Sequence, residues 1–245
     1  MSKLYEALKN ADAERKTITE EEIAPRQRLA RRSWGWTSQN RKSLERIDDL
    51  CQRIDSLLPS PERKVLQFMG SRKGEGTSTV VRQFATISAL NMHKSVLILD
   101  ADRDSPAQHA LFDVHPQYCL HDATTDGGPL ERAYSQAGIP KLSVCLVSEN
   151  SVSPAQVLKG SGLWATFRIR FDLVVIDSPP LEGSSDGLAL ARNADGVVLV
   201  IEAEKTRWPV VQTLRDSIID SGGNILGVVF NKRRYHIPGW IYKWL

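Results

Sequence analysis

The chain has 245 residues, of which 41% are hydrophobic and 25% charged, and a formal net charge of +3. This is the balance of an ordinary globular protein, not of a disordered chain, and so small a charge gives no ground for expecting a nucleic-acid partner. No apolar run approaches the roughly 20 residues of a membrane-spanning helix, and residues 1–16 are amphipathic and charged, unlike a secretory signal, so the expected location is the cytoplasm.

From the start, Ser2 can cap a short helix with Leu4, Ala7, Leu8 and Ala11 at helical spacing. Periodicity fades over residues 17–37, where Arg26, Arg28, Arg31 and Arg32 gather around Pro25 as a basic linker. Leu44, Ile47, Cys51, Ile54 and Leu58 then alternate at three and four residues, one apolar helix stripe in need of a partner surface. We therefore divide the chain into N-terminal helices and linker (1–60), a nucleotide-binding domain (61–232) and a basic aromatic tail (233–245).

Beyond Pro61 short apolar runs alternate with helical segments, the pattern of a mostly parallel sheet covered by helices. Strands are predicted at 65–69, 95–99, 142–147, 173–176, 196–201 and 225–230, and helices at 78–90, 154–168, 185–192 and 209–221. Cys51, Cys119 and Cys145 are scattered, as are the five histidines, so reduced buried thiols are expected and no protein-held transition metal.

Three motifs carry chemistry. After the first strand runs Gly70-Ser-Arg-Lys-Gly-Glu-Gly-Thr-Ser-Thr79, then an apolar helix. In that context glycines let backbone N–H groups of Gly74, Glu75, Gly76, Thr77, Ser78 and Thr79 wrap a polyanion at a helix start. The P-loop pattern ends Gly-Lys-[Ser/Thr]; here Ser78 keeps the place of the magnesium-binding hydroxyl, while Thr77 stands where the lysine belongs. Lys73 or Arg72 is the nearby candidate to supply that charge. The second strand ends in Asp100 and Asp102, which period two puts on one side, and the fourth ends in Asp177 before Ser178-Pro179-Pro180. Carboxylates there can orient magnesium or accept a hydroxyl proton.

With Val96-Leu-Ile-Leu-Asp-Ala-Asp102, Gln108-His-Ala-Leu-Phe112, Phe171-Asp-Leu-Val-Val-Ile-Asp-Ser-Pro-Pro180 and Asp186-Gly-Leu-Ala-Leu-Ala-Arg-Asn-Ala-Asp-Gly-Val-Val-Leu-Val200, the chain resembles the bacterial tyrosine kinases of capsule and exopolysaccharide systems. The opening Met1-Ser-Lys-Leu-Tyr-Glu-Ala-Leu-Lys9 is similar to members encoded with exosortase-linked systems. The resemblance implies a P-loop fold of the partitioning-ATPase, deviant-Walker type, with ATP and magnesium as cofactors. It assigns magnesium to Ser78, Asp100 and Asp177, catalysis to Asp100 and Asp102, and adenine recognition to Asn231; Lys73 joins the catalytic set as the nearby charge in place of the missing lysine. It further implies a membrane-embedded polysaccharide co-polymerase as partner, and homo-oligomers.

The chain departs from the family at several points. Thr77 replaces the lysine, Asp104 stands where an arginine is expected with Arg103 one place early, and Glu45 is followed at the ring-forming spacing by Asp48 and Cys51. The C-terminal tyrosine cluster is reduced to Tyr235 and Tyr242, with Tyr5 a further exposed candidate acceptor. Residues 232–245 mix Lys232, Arg233, Arg234 and Lys243 with Trp240, Tyr242 and Trp244, a composition suited to peripheral contact with the inner face of the membrane or to docking on protein. A tyrosine kinase, a nucleotide-sensing regulator that has lost transfer, and a partitioning-type ATPase are the functions this reading leaves open.

Overall fold

The computed structural model describes residues 38–59, 64–148, 152–159 and 162–233. The expected first helix, the basic linker, Tyr5 and the aromatic tail from Arg234 onward lie outside the described residues.

In chain order the elements are α1 (Ser38–Leu57), β1 (Lys64–Gly70), α2 (Thr77–Leu90), β2 (Val96–Asp100), α3 (Gln108–Leu111), α4 (Leu120–Thr125), β3 (Tyr134–Gln136) and β4 (Leu142–Leu146). They continue with α5 (Pro154–Val157), α6 (Leu163–Arg170), β5 (Leu173–Asp177), α7 (Asp186–Ala191), β6 (Gly196–Glu202), α8 (Trp208–Asp220) and β7 (Ile225–Asn231). The strands form one seven-stranded sheet in the order β3-β4-β2-β5-β1-β6-β7, parallel except where β3 runs antiparallel along β4.

Both faces of the sheet are covered, which is why its strands read as continuous apolar runs instead of alternating ones. On one face Leu66, Phe68, Val96, Ile98, Val175 and Val198 pack under α2 and α1. Val65, Leu97, Leu99, Val174 and Ile176 meet α4, α6 and α7 on the other face, and Met69, Val197 and Leu199 meet α7 and α8. Phe68 lies against Phe84 of α2 with ring centroids 5.0 Å apart.

The partner surface that the α1 stripe needs is α2. Ile47, Cys51 and Ile54 are buried in the same core as β1 and β2, and Asp55 bonds Lys64 at 3.1 Å and Lys94 at 2.6 Å. Cys51, Cys119 and Cys145 are free and buried, and burial pushes the Cys51 thiol up to about 12.

The structure corrects the sequence reading in three places. The sheet gains a seventh strand, β3, whose three residues are too few to show a period. The single helix expected over 154–168 is two: α5 ends at Val157, and α6 starts after Gly162, whose φ of 106° is left-handed and incompatible with a continuous helix. Asp100 is the last residue of β2, so strand period two does not carry to Asp102, which sits in the following turn.

Candidate functional site

The phosphate-loop candidate links β1 to α2 at the C-terminal edge of the sheet. Gly74 and Gly76 have φ of 91° and 92°, a left-handed backbone that bends the loop before the first turn of α2. A Cβ on Gly76 would lie 2.3 Å from Asn231 Nδ2, whereas one on Gly74 would meet nothing within 4 Å. Position 76 is therefore glycine for close approach as well as for conformation. Thr77 and Ser78 open α2, a fourteen-residue helix whose first-turn N–H groups have no intrahelical acceptor.

Glu75 does not point outward. It is buried, and its carboxylate accepts the backbone N–H of Ser71 at 2.6 Å and of Arg72 at 2.9 Å, the Ser71 hydroxyl at 3.0 Å and the Thr206 hydroxyl at 2.6 Å. It braces the entry limb of the loop and ties it to the turn after β6. The chain after Pro180 closes the other side: the N–H groups of Leu181 and Glu182 donate to the carbonyls of Gly70 and Ser71 at 3.1 Å. Lys73 reaches across the mouth and donates to the Ser105 hydroxyl at 2.6 Å, while Arg72 and Thr79 are exposed.

Asp100 and Asp177 end the adjacent strands β2 and β5 in register, both buried. Asp100 accepts the N–H groups of Ala107 and Gln108 at 2.9 and 2.8 Å. Asp177 accepts the Gln108 side-chain amide at 2.7 Å and the Ser78 hydroxyl. Burial raises both carboxyls above the usual range, and repulsion from Asp177 raises Asp100 further against the pull of its backbone donors. Asp102 is half-buried and caps its own turn, accepting the N–H groups of Asp104 and Ser105 at 3.2 and 3.1 Å. Arg103 lies 3.8 Å from Asp186 and 3.9 Å from Asp104.

Ser78, Asp100 and Asp177 thus converge, with Asp102 at their solvent side. Their all-oxygen donor set suits magnesium, a hard cation, and two repelling buried carboxylates gain from a positive charge. Gln108 completes the group: its amide N–H also donates to the Ser78 carbonyl at 2.9 Å, while its buried Oε1 has no protein partner. Sequence reasoning quoted Gln108 within a motif but gave it no role, since an amide eight residues after a strand-end acid carries no periodic signal.

At the far side of the loop, Asn231 Nδ2 donates to the Glu75 carbonyl at 2.8 Å and its Oδ1 accepts the Lys232 N–H at 2.9 Å. The amide expected to read adenine is thereby turned against the loop. Lys232, taken from sequence as the start of the basic tail, donates through Nζ to the Gly74 carbonyl.

A glycine loop between β1 and a helix, with acids ending β5 beside it and β2 next to that in a mostly parallel sheet, defines a P-loop α/β fold of the partitioning-ATPase type. Its backbone superposes on the septum site-determining protein MinD of Pyrococcus horikoshii, solved with Mg-ADP, with a TM-score of 0.56 at 18% identity over 74% of this chain and 76% of that one. The kinase domain of the Escherichia coli tyrosine kinase ETK matches with a TM-score of 0.73 at 20% identity, covering 82% and 80%. In sequence, a putative tyrosine-protein kinase CapB of Staphylococcus aureus is 27% identical over 174 residues, 70% of this chain and 76% of that protein. No protein-family model matches the sequence. In sequence and in backbone the chain is thus similar to bacterial tyrosine kinases, in keeping with the resemblance its motifs carry. Among the described residues no helix is long and apolar enough to cross a membrane.

Proposed function

We propose that the chain binds Mg-ATP between the 70–79 loop and the acids of β2 and β5, and that it acts as a tyrosine kinase in the making and export of a surface polysaccharide. The observation that carries this reading is the buried convergence of Ser78, Asp100, Asp177 and Gln108 beside a phosphate-type loop, in a chain whose relatives are named tyrosine-protein kinases. Ser78, Asp100 and Asp177 would hold magnesium, which would supply positive charge to offset that of the phosphates. Asp102, at the solvent side, is the carboxylate reachable by an entering tyrosine hydroxyl and would take its proton, with Asp100 behind it. Lys73, at the mouth of the loop, would meet the outer phosphates once released from Ser105. A membrane co-polymerase as partner, peripheral recruitment and self-assembly belong to the same reading.

Thr77 favours a second reading, in which the nucleotide only biases a conformation that partners sense. Losing one charge-assisted hydrogen bond at that position costs about 1.5 to 3 kcal/mol, enough to slow transfer without abolishing binding. Calorimetric titration with ATP and magnesium, with Asp100→Ala as control and a phosphotyrosine assay on the same sample, tests the site and the reaction together. Binding that the control loses, with phosphotyrosine formed, supports the kinase. Binding without transfer, restored by Thr77→Lys, supports the regulator, and no binding at millimolar ATP refutes both.

A further inference from the structure

The loop lacks its lysine, yet a different lysine is bonded to it. β7 ends at Asn231, and Lys232 follows with φ of 56°, a left-handed conformation disfavoured for a side chain of its kind. That bend carries Lys232 back over the loop, where its ammonium bonds the Gly74 carbonyl and stands 3.5 Å from Glu202. Asn231, one residue earlier, bonds the next carbonyl of the loop, that of Glu75, and also accepts the Lys232 N–H. Two successive side chains therefore hold two successive loop carbonyls.

In a planar trans peptide the N–H points opposite to the C=O that precedes it. Drawing the carbonyls of Gly74 and Glu75 toward β7 directs the N–H groups of Glu75 and Gly76 the other way, to the side where the first-turn amides of Thr77 and Ser78 open. Glu75 holds the entry limb through Ser71 and Arg72, so both limbs are fixed from within the protein.

We propose that Asn231 and Lys232 form a clasp that presets the 74–78 backbone as a cradle for the polyphosphate of a nucleoside triphosphate. Binding then rests on oriented N–H groups where a lysine side chain at position 77 would otherwise serve. This rests on the nucleotide reading above. Lys232 is a positioning residue: it acts through the Gly74 peptide, and the ligand part that feels it is the phosphate chain, not the base.

The test compares the wild type with Lys232→Met and Lys232→Arg by calorimetry with Mg-ATP and with magnesium tripolyphosphate, by thermal melting, and by hydrogen exchange of the loop amides. In Lys232→Met both affinities should fall about tenfold, as for one lost charge-assisted bond. The loop amides should exchange faster, and the melting temperature should move by no more than about 2 °C because an exposed polar contact adds little stability. Lys232→Arg should recover most of the affinity. Unchanged affinity in Lys232→Met, or a loss confined to ATP and absent for tripolyphosphate, overturns the clasp. If the wild type binds neither ligand, the nucleotide reading fails, and loop exchange alone then decides whether the clasp exists: equal rates in wild type and Lys232→Met remove it.

Discussion

Replacing Gly76 by alanine separates two effects that are usually confounded at a loop glycine. The backbone at φ 92° disfavours any Cβ by about 1 to 2 kcal/mol. The new methyl would also stand 2.3 Å from Asn231 Nδ2, so Asn231 must withdraw and its 2.8 Å bond to the Glu75 carbonyl is lost, a further cost of about 0.5 to 1.5 kcal/mol. Gly74→Ala carries the first cost alone, since φ there is 91° and the space is open. Urea denaturation should therefore rank Gly76→Ala below Gly74→Ala by roughly 1 kcal/mol. In an Asn231→Ala background that gap should close, a coupling of the size that contacting residues show. Equal destabilisation by the two alanines, or a gap that persists without Asn231, would refute the close-approach argument.

Asp100→Asn should stabilise the metal-free protein. Because the Asp100 carboxyl is raised, the fold retains a proton that the unfolded chain releases near pH 4, so wild-type stability falls as pH climbs from there toward the raised value. The advantage of the asparagine variant should grow steadily over that window, as read from melts between pH 4 and 8; a constant difference across pH would contradict the assignment. Magnesium affinity measured by calorimetry should rise with pH over the same range, since the ion competes with that proton, and a flat profile would count against the Asp100–Asp177 pair as its seat. Gln108→Leu removes the amide from Asp177 and the Ser78 carbonyl, and should cost about 1 to 3 kcal/mol in urea denaturation while weakening Mg-ATP binding; retention of both would show the amide to be dispensable. Ile54→Ala should lower the single unfolding transition by about 2 to 4 kcal/mol, because α1 is built into the main core. A separate early transition for α1 would show that it folds as its own unit.

Much of the sheet was legible because β1, β2, β5 and β6 are buried on both faces, and a continuous apolar run bounded by glycine or aspartate has few other readings. Asp100 and Asp177 were legible for the same reason, each closing such a run. Tyr134–Gln136 was not, because its pairing with Cys145 and Ser143 is a property of the neighbouring strand and not of its own three residues. Gly162 breaks the predicted helix over 154–168 although its apolar spacing runs on. The largest gap lies in contacts between side chain and backbone across long separations. Lys232 looked like tail charge, and nothing local says that its ammonium meets Gly74. Likewise nothing local says that the Glu75 side chain is held inward by Thr206 and the loop's own amides.

The strand order has a consequence for how the chain is made. β1 emerges early, but the two strands that flank it, β5 and β6, follow about a hundred residues and more behind. At translation rates of roughly 5 to 20 residues per second, both edges of this apolar strand stand open for on the order of 5 to 20 s on the ribosome. α2 and α1 shield one face meanwhile, but not the edges. Chaperone engagement and aggregation on overexpression should therefore concentrate on nascent chains that end before β6, and slowing synthesis between β2 and β5 should lengthen that exposure.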